Sequence, residues 1–290
     1  MGTYGALDFE CYDTDNVTKY IVRTGSVPVI PPFIKLDLFI CFDFEAVSVS
    51  MYKYWQATSV NSAINNERAL AMAEGSSATI AEVCDVSAPY DTGIYSILLK
   101  NDSVASNIIT CPSDLQYRFN YTYDFGGSDL CSGNSMMDNC VQTDALAVNY
   151  TYCATEMFYS SDGDLSCLYE TTNGSLTYLT LFNNDVSPDG SSTYQFSCLV
   201  FSTSGLTTFA TQSPQNCAAG QTDTTVSSPG VALLFTSEGS CTAPTVDPNS
   251  NQTTTTTTQA TTTTTSCASS IFDIVAVAAM LALIQGLRLF

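Results

Sequence analysis

The sequence predicts a mainly β chain. Two small disulfide-bonded domains, sandwich-like or hairpin-rich, precede a threonine-rich stalk and a C-terminal hydrophobic segment. Three observations lead there. Sixteen Tyr and fifteen Phe supply much of a 45% hydrophobic content, and aromatic residues favour strands. Gly, Ser, Thr and Asn crowd the gaps between apolar runs, as short strands joined by turns require. Twelve cysteines are dispersed with no C-x-x-C pair. Zinc sites use close cysteine pairs or histidines, and this chain has no histidine, so the cysteines read as disulfides formed in an oxidising compartment.

The first block, residues 1–107, opens on "MGTYGALDFECYDTDN". That stretch has neither the basic n-region nor the apolar h-region of a secretory signal. Ala6 stands where a myristoylation motif needs Ser or Thr. The expectation is therefore a coding sequence that extends upstream of this Met. The block holds Cys11, Cys41 and Cys84 and all but two of the chain's basic residues. Two of its segments, "FECYDTDNVTKYIV" at 9–22 and "FICFDFEAVSVSMYKYW" at 39–55, share a grammar. Each places an aromatic two residues before a Cys, turns on polar residues and returns through an aromatic run, which predicts a stapled hairpin. "SAINNERALAMAEG", residues 62–75, predicts one helix, with Gly75 as its cap.

The second block, residues 108–243, begins after the polar cluster in "LLKNDSVASNIITCP" and holds Cys111, Cys131, Cys140, Cys153, Cys167, Cys198, Cys217 and Cys241. "YRFNYTYD" alternates strictly, "TTNGS" reads as a hairpin turn, and "FSCLVFSTSGLTTFAT" at 196–211 repeats the stapled-hairpin grammar. Eight cysteines allow 105 connectivities, so the pairing is open at this point.

This block resembles the extracellular domain of unknown function 7042, and the first block looks like its 7043-like companion. The resemblance rests on Cys111-Pro112, the run Arg118 to Tyr123, Cys131, "DNC" ending at Cys140, Cys153, Cys167-Leu168, Asn173-Gly174 with Tyr178-Leu179, "YQFSCLVF" and Cys217. The family pattern carries Trp soon after the Cys-Leu pair, where this chain has Tyr169-Glu170-Thr171; a rebuilt core around that hairpin is expected. The resemblance implies an invertebrate cell-surface or secreted module.

Residues 244–266 form the stalk, where "NQTTTTTTQATTTTTS" has no apolar periodicity and resembles an O-glycosylated spacer. Residues 267–290 follow. The uninterrupted apolar run Ile274–Ile284 would reach about 16 Å as a helix, half of a bilayer's hydrocarbon core. A span from Ile271 to Leu287 must carry Asp273 and Gln285. Small residues, a polar spacer and a terminal apolar tail instead match a glycosylphosphatidylinositol (GPI) signal, with Ser266 or Ala268 as the attachment residue. The anchor is favoured and a single-pass span is the alternative.

Six N-x-S/T sequons, at Asn16, Asn101, Asn120, Asn149, Asn173 and Asn251, are candidate N-glycosylation sites. With 28 acids against 8 bases the net charge is −20, which excludes nucleic acid as a partner. Missing histidine removes Ser-His and Cys-His catalysis, and no phosphate-binding glycine loop occurs. Carboxylates remain. Asp162 and Asp164 in "SSDGDLS", and the acids of "NNDVSPDG" at 183–190, lie in polar turns. A glycosidase-like pair across a cleft or a calcium loop is the minor reading there.

These features point to a non-enzymatic glycoprotein without a cofactor on the extracellular face of the cell membrane, attached through its lipid anchor or tail. Its expected partner is an extracellular protein or glycan. A mucin-like structural coat is the second reading and a carboxylate-dependent surface hydrolase the third.

Overall fold

The computed structural model describes residues 8–241 except Ser26, residues 31–33, Asn65, residues 125–129, residues 132–134, Thr151 and residues 154–157. The stalk, Cys267, Asn251 and both attachment candidates, Ser266 and Ala268, lie outside the described residues. The chain is mainly β and hairpin-rich, as expected. Among the described residues no helix is long and apolar enough to cross a membrane.

The first block builds one seven-stranded antiparallel sheet: β1 (Phe9–Thr14), β2 (Lys19–Thr24), β3 (Val27–Ile30), β4 (Ile34–Ala46), β5 (Met51–Gln56), β6 (Leu70–Ala73) and β7 (Ser96–Leu99). β4 is its spine, with β2 and β3 along one edge and β5 and β6 along the other. Phe39 and Cys41 pack on one face with Ile21, Val83 and Cys84, while Ile40 and Phe42 pack on the other with Val22 and Tyr54. Because both faces are covered, the centre of β4, residues 38–42, reads as a continuous apolar run rather than an alternating one. The Cys41–Cys84 disulfide ties β4 to the segment ending α1 (Ile80–Val83). A capping box, in which Thr79 and Glu82 each bond the other's backbone, starts that helix.

The expected helix over 62–75 is not formed. Ser62–Ile64 make a single 3-10 turn, Asn66 adopts a left-handed φ of 62°, and Leu70–Ala73 pair with Leu36–Phe39 as β6. "ALAMA" has good helix propensity, but an available edge of β4 overrides it. Gly75 ends the strand in a left-handed turn, its N–H donating to Asp37 Oδ2 at 3.0 Å.

The second block is a closed eight-stranded barrel of β8 (Tyr117–Asp124), β9 (Ser135–Asp138), β10 (Ala145–Asn149), β11 (Asp164–Asn173), β12 (Leu176–Asn183), β13 (Phe196–Ser204), β14 (Thr207–Pro214) and β15 (Val231–Ser240). Every strand pairs antiparallel with its chain neighbour, and β15 returns to β8. The closed meander leaves no free edge. Alternation does the sorting: Phe119, Tyr121 and Tyr123 of β8 point inward beside Leu179, Leu199 and Phe235. Gly174 (φ 63°) and Gly205 (φ 65°) open the two-residue turns of the β11–β12 and β13–β14 hairpins, where the tight primed turns need left-handed backbone.

Phe158 is fully buried in this core. Its ring meets Tyr121 edge-on at 5.4 Å and stacks over Phe235 at 6.4 Å. Phe158 and Tyr159 both hold positive φ, 57° and 59°. That conformation costs about 1–3 kcal/mol per residue; burial of the ring offsets it.

Ten of the eleven cysteines expected to be crosslinked pair off as Cys41–Cys84, Cys111–Cys167, Cys131–Cys153, Cys140–Cys241 and Cys198–Cys217. Cys11 is half-buried on β1. The last four bridges all belong to the second block. They link the approach to the barrel with β11, the β8–β9 and β10–β11 connections, the end of β9 with the end of β15, and β13 with the segment after β14.

Candidate functional site

The two blocks meet on the outer wall of β11–β13. The buried Tyr95 hydroxyl lies 3.2 Å from Thr180 Oγ1. Gly93 sits so close to the Tyr178 ring that a Cβ there would stand 2.6 Å from it. Tyr178 in turn packs with Val200 and the Cys198–Cys217 bridge. Tyr169 belongs to this junction. A register shift between Cys167 and Tyr169 marks a bulge, and the Tyr169 ring meets Tyr95 edge-on at 5.3 Å. Its hydroxyl accepts from Lys53 Nζ at 3.1 Å.

Beside the junction lies a groove of about 1000 Å³, at the upper end of the range for small-ligand sites. Trp55, Tyr90 and the whole of β7 line one side; Phe182, Gln195, Phe196, Gln215 and Asn216 of the barrel block line the other. The Trp55 and Tyr90 rings stack, with centroids 4.8 Å apart and planes 17° from parallel. The Tyr90 hydroxyl donates to Asp43 Oδ2 at 2.7 Å. Lys53 Nζ lies 5.3 Å from the Trp55 ring and 2.9 Å from Glu45 Oε1, so the stacked pair is braced from behind by a partnered cation. Across the groove, Phe182 and Phe196 meet edge-on at 5.6 Å.

Burial, then the Asp43 contact, raises the Tyr90 phenol, and burial raises Tyr95. Both therefore stay neutral at physiological pH. Burial works to lower the Lys53 ammonium, but the bonds to Glu45 and Tyr169 outweigh it and raise it overall. Arg68 and Lys100 line the groove opposite in sign to Asp91 and Asp102. The groove is thus locally balanced within a strongly negative chain. Trp55 Nε1 is buried without a hydrogen-bond partner among the described residues.

Asp162 is exposed and Asp164 half-buried. What organises this region is Asp185, which is buried. It accepts from Ser160 Oγ (2.9 Å), Ser161 N–H (2.6 Å), Ser161 Oγ (2.9 Å), Asp162 N–H (3.1 Å) and Asn183 Nδ2 (3.0 Å). Burial pushes its carboxyl up, yet these donors hold it below the ordinary aspartate value. The arrangement staples a turn. Asp189 accepts from the N–H groups of Ser191, Ser192 and Thr193 and caps its own loop in the same way. Among the described residues no group of three or more His, Cys, Asp or Glu side chains is placed to hold a metal ion.

The described sequons are scattered over the surface. Asn16 (φ 60°) is exposed in the β1–β2 turn, Asn173 is exposed at the β11–β12 tip, and Asn101 stands on the groove rim. Asn120 and Asn149 both pair with Met136 of β9, so they share the barrel's outer face; Asn120 Nδ2 donates to Glu238 Oε1 at 2.6 Å.

Fold and site together define a disulfide-locked pair of β domains with an aromatic-walled groove between them. Residues 107–233 match the model of a domain of unknown function (DUF7042), consistent with a DUF7042-like domain over the barrel. No curated protein and no solved structure matches the chain. Sequence reading missed the groove because no motif encodes it; its residues come from two separate sheets. The lone Trp of the chain was the one available signal.

Proposed function

We propose that this chain is a non-enzymatic recognition glycoprotein on the extracellular face of the cell membrane. It is held there by a C-terminal GPI anchor and takes its ligand in the groove between the two domains. The observation that carries this reading is the groove itself, an open, charge-balanced cleft with the stacked Trp55–Tyr90 pair on one wall and Phe182–Phe196 on the other. Half-buried aromatic surface rimmed by amide side chains is the chemistry of a binding site. The five disulfides support an oxidising, extracellular setting. The exposed sequons favour the glycoprotein reading, and the small-residue triplets before the apolar tail favour the anchor.

The test is a screen of the purified full chain against a library of cell-surface ectodomains and a glycan array, run in parallel with Trp55→Ala. Binding that the substitution abolishes supports the groove. A clean blank in both screens overturns recognition, and binding insensitive to Trp55→Ala overturns the site.

A further inference from the structure

The groove holds an unfinished sheet. β7 ends the strand order of the first domain and pairs only with β5. The Lys100 N–H bonds Ser50 O, which fixes the phase of that ladder. Lys100, Leu98 and Ser96 therefore turn their backbone groups toward β5, and Ile97 and Leu99, alternating with them, turn theirs away. The outer edge of β7 thus offers the N–H and C=O of Ile97 and Leu99, groups with no partner among the described residues. Both residues are half-buried and line the groove.

Edges of this kind are normally blunted by charge, proline, a bulge or a covering element. "SILL" carries no charge or proline. The wall opposite is the barrel side bearing Phe182 and Phe196.

We infer that the ligand of the groove is an extended polypeptide segment that adds a strand to the free edge of β7, bonding Ile97 and Leu99 through its backbone. The inference rests on the groove being the recognition site and specifies the occupant. An added strand would run about 4.8 Å from β7, its alternate side chains meeting the aromatic walls. Because the groove is charge-balanced and the chain strongly negative, the segment is neutral or basic; an acidic one is repelled. Main-chain bonding supplies affinity and the aromatic pockets supply selectivity.

The test selects linear peptides from a displayed library on the purified full chain, then measures amide exchange at β7 with and without a selected peptide. The expected result is slowed exchange at Ile97 and Leu99 and loss of binding when the peptide's alternate amides are N-methylated. Ile97→Pro removes an outward N–H while keeping every bond to β5, and it weakens the peptide by about tenfold or more. Should that variant misfold, the exchange and N-methylation results decide alone. Peptides that bind the groove without protecting Ile97 and Leu99 overturn strand addition and leave groove recognition standing. So does a glycan ligand lost with Trp55→Ala but indifferent to N-methylated competitors. Failure of every peptide and every glycan overturns both readings.

Discussion

Asp185 shows how one buried acid can organise a turn. Five donors converge on it, and its depressed folded-state value links it to pH. The stabilisation is complete above the ordinary aspartate value of about 4. It is lost as pH falls through the lower folded value. Asp185→Asn is expected to cost about 1–3 kcal/mol at neutral pH, and denaturant titrations should show a shallower loss of stability below pH ~4. Gly93 makes a steric prediction. With the Tyr178 ring 2.6 Å from any Cβ, Gly93→Ala should cost about 1–3 kcal/mol and shift the emission of Trp55, the only Trp, which stands on the neighbouring groove wall. Neither role was legible in the sequence. "NNDVSPDG" reads as an ordinary polar turn, and a glycine against a ring from another domain leaves no local mark.

At the scale of elements, local grammar was readable and long-range pairing was not. The hairpins at 9–22, 39–55 and 196–211 formed where alternation and turn residues placed them. β6 did not, since "ALAMA" satisfies a helix as well as a strand and only the edge of β4 decides. The bridges needed the fold too. Cys140 and Cys241 stand 101 residues apart in sequence, and the barrel brings them together because β15 returns to one edge of β8, whose other edge carries β9. In the chain-entropy model a closure near that length contributes about 4.7 kcal/mol and a short loop about 3. Paired serine substitution of Cys140 and Cys241 should therefore destabilise the protein more than that of Cys198 and Cys217, whose separation is 19. Chemical unfolding of the two variants side by side checks the order.

At the scale of the whole molecule, composition spoke for crosslinked cysteines and topology for the groove. Dispersed cysteines and sequons were visible at once. Closure of eight strands into a barrel was not, since it depends on β15 finding β8 across more than a hundred residues. The groove is one level further removed: it exists only where the end of an open sheet meets the outside of a closed one. Exposure of Asn16, Asn101, Asn149 and Asn173 agrees with a surface that sugars can decorate, and Asn101 on the rim would set a glycan beside the groove. The most direct test of an outward-facing, crosslinked pair of domains is non-reducing peptide mapping of the protein released from intact cells by phosphatidylinositol-specific phospholipase C. The expected result is release with Cys41–Cys84, Cys111–Cys167, Cys131–Cys153, Cys140–Cys241 and Cys198–Cys217 joined. Protein found only in the cytosol, with those ten thiols reduced, would contradict it.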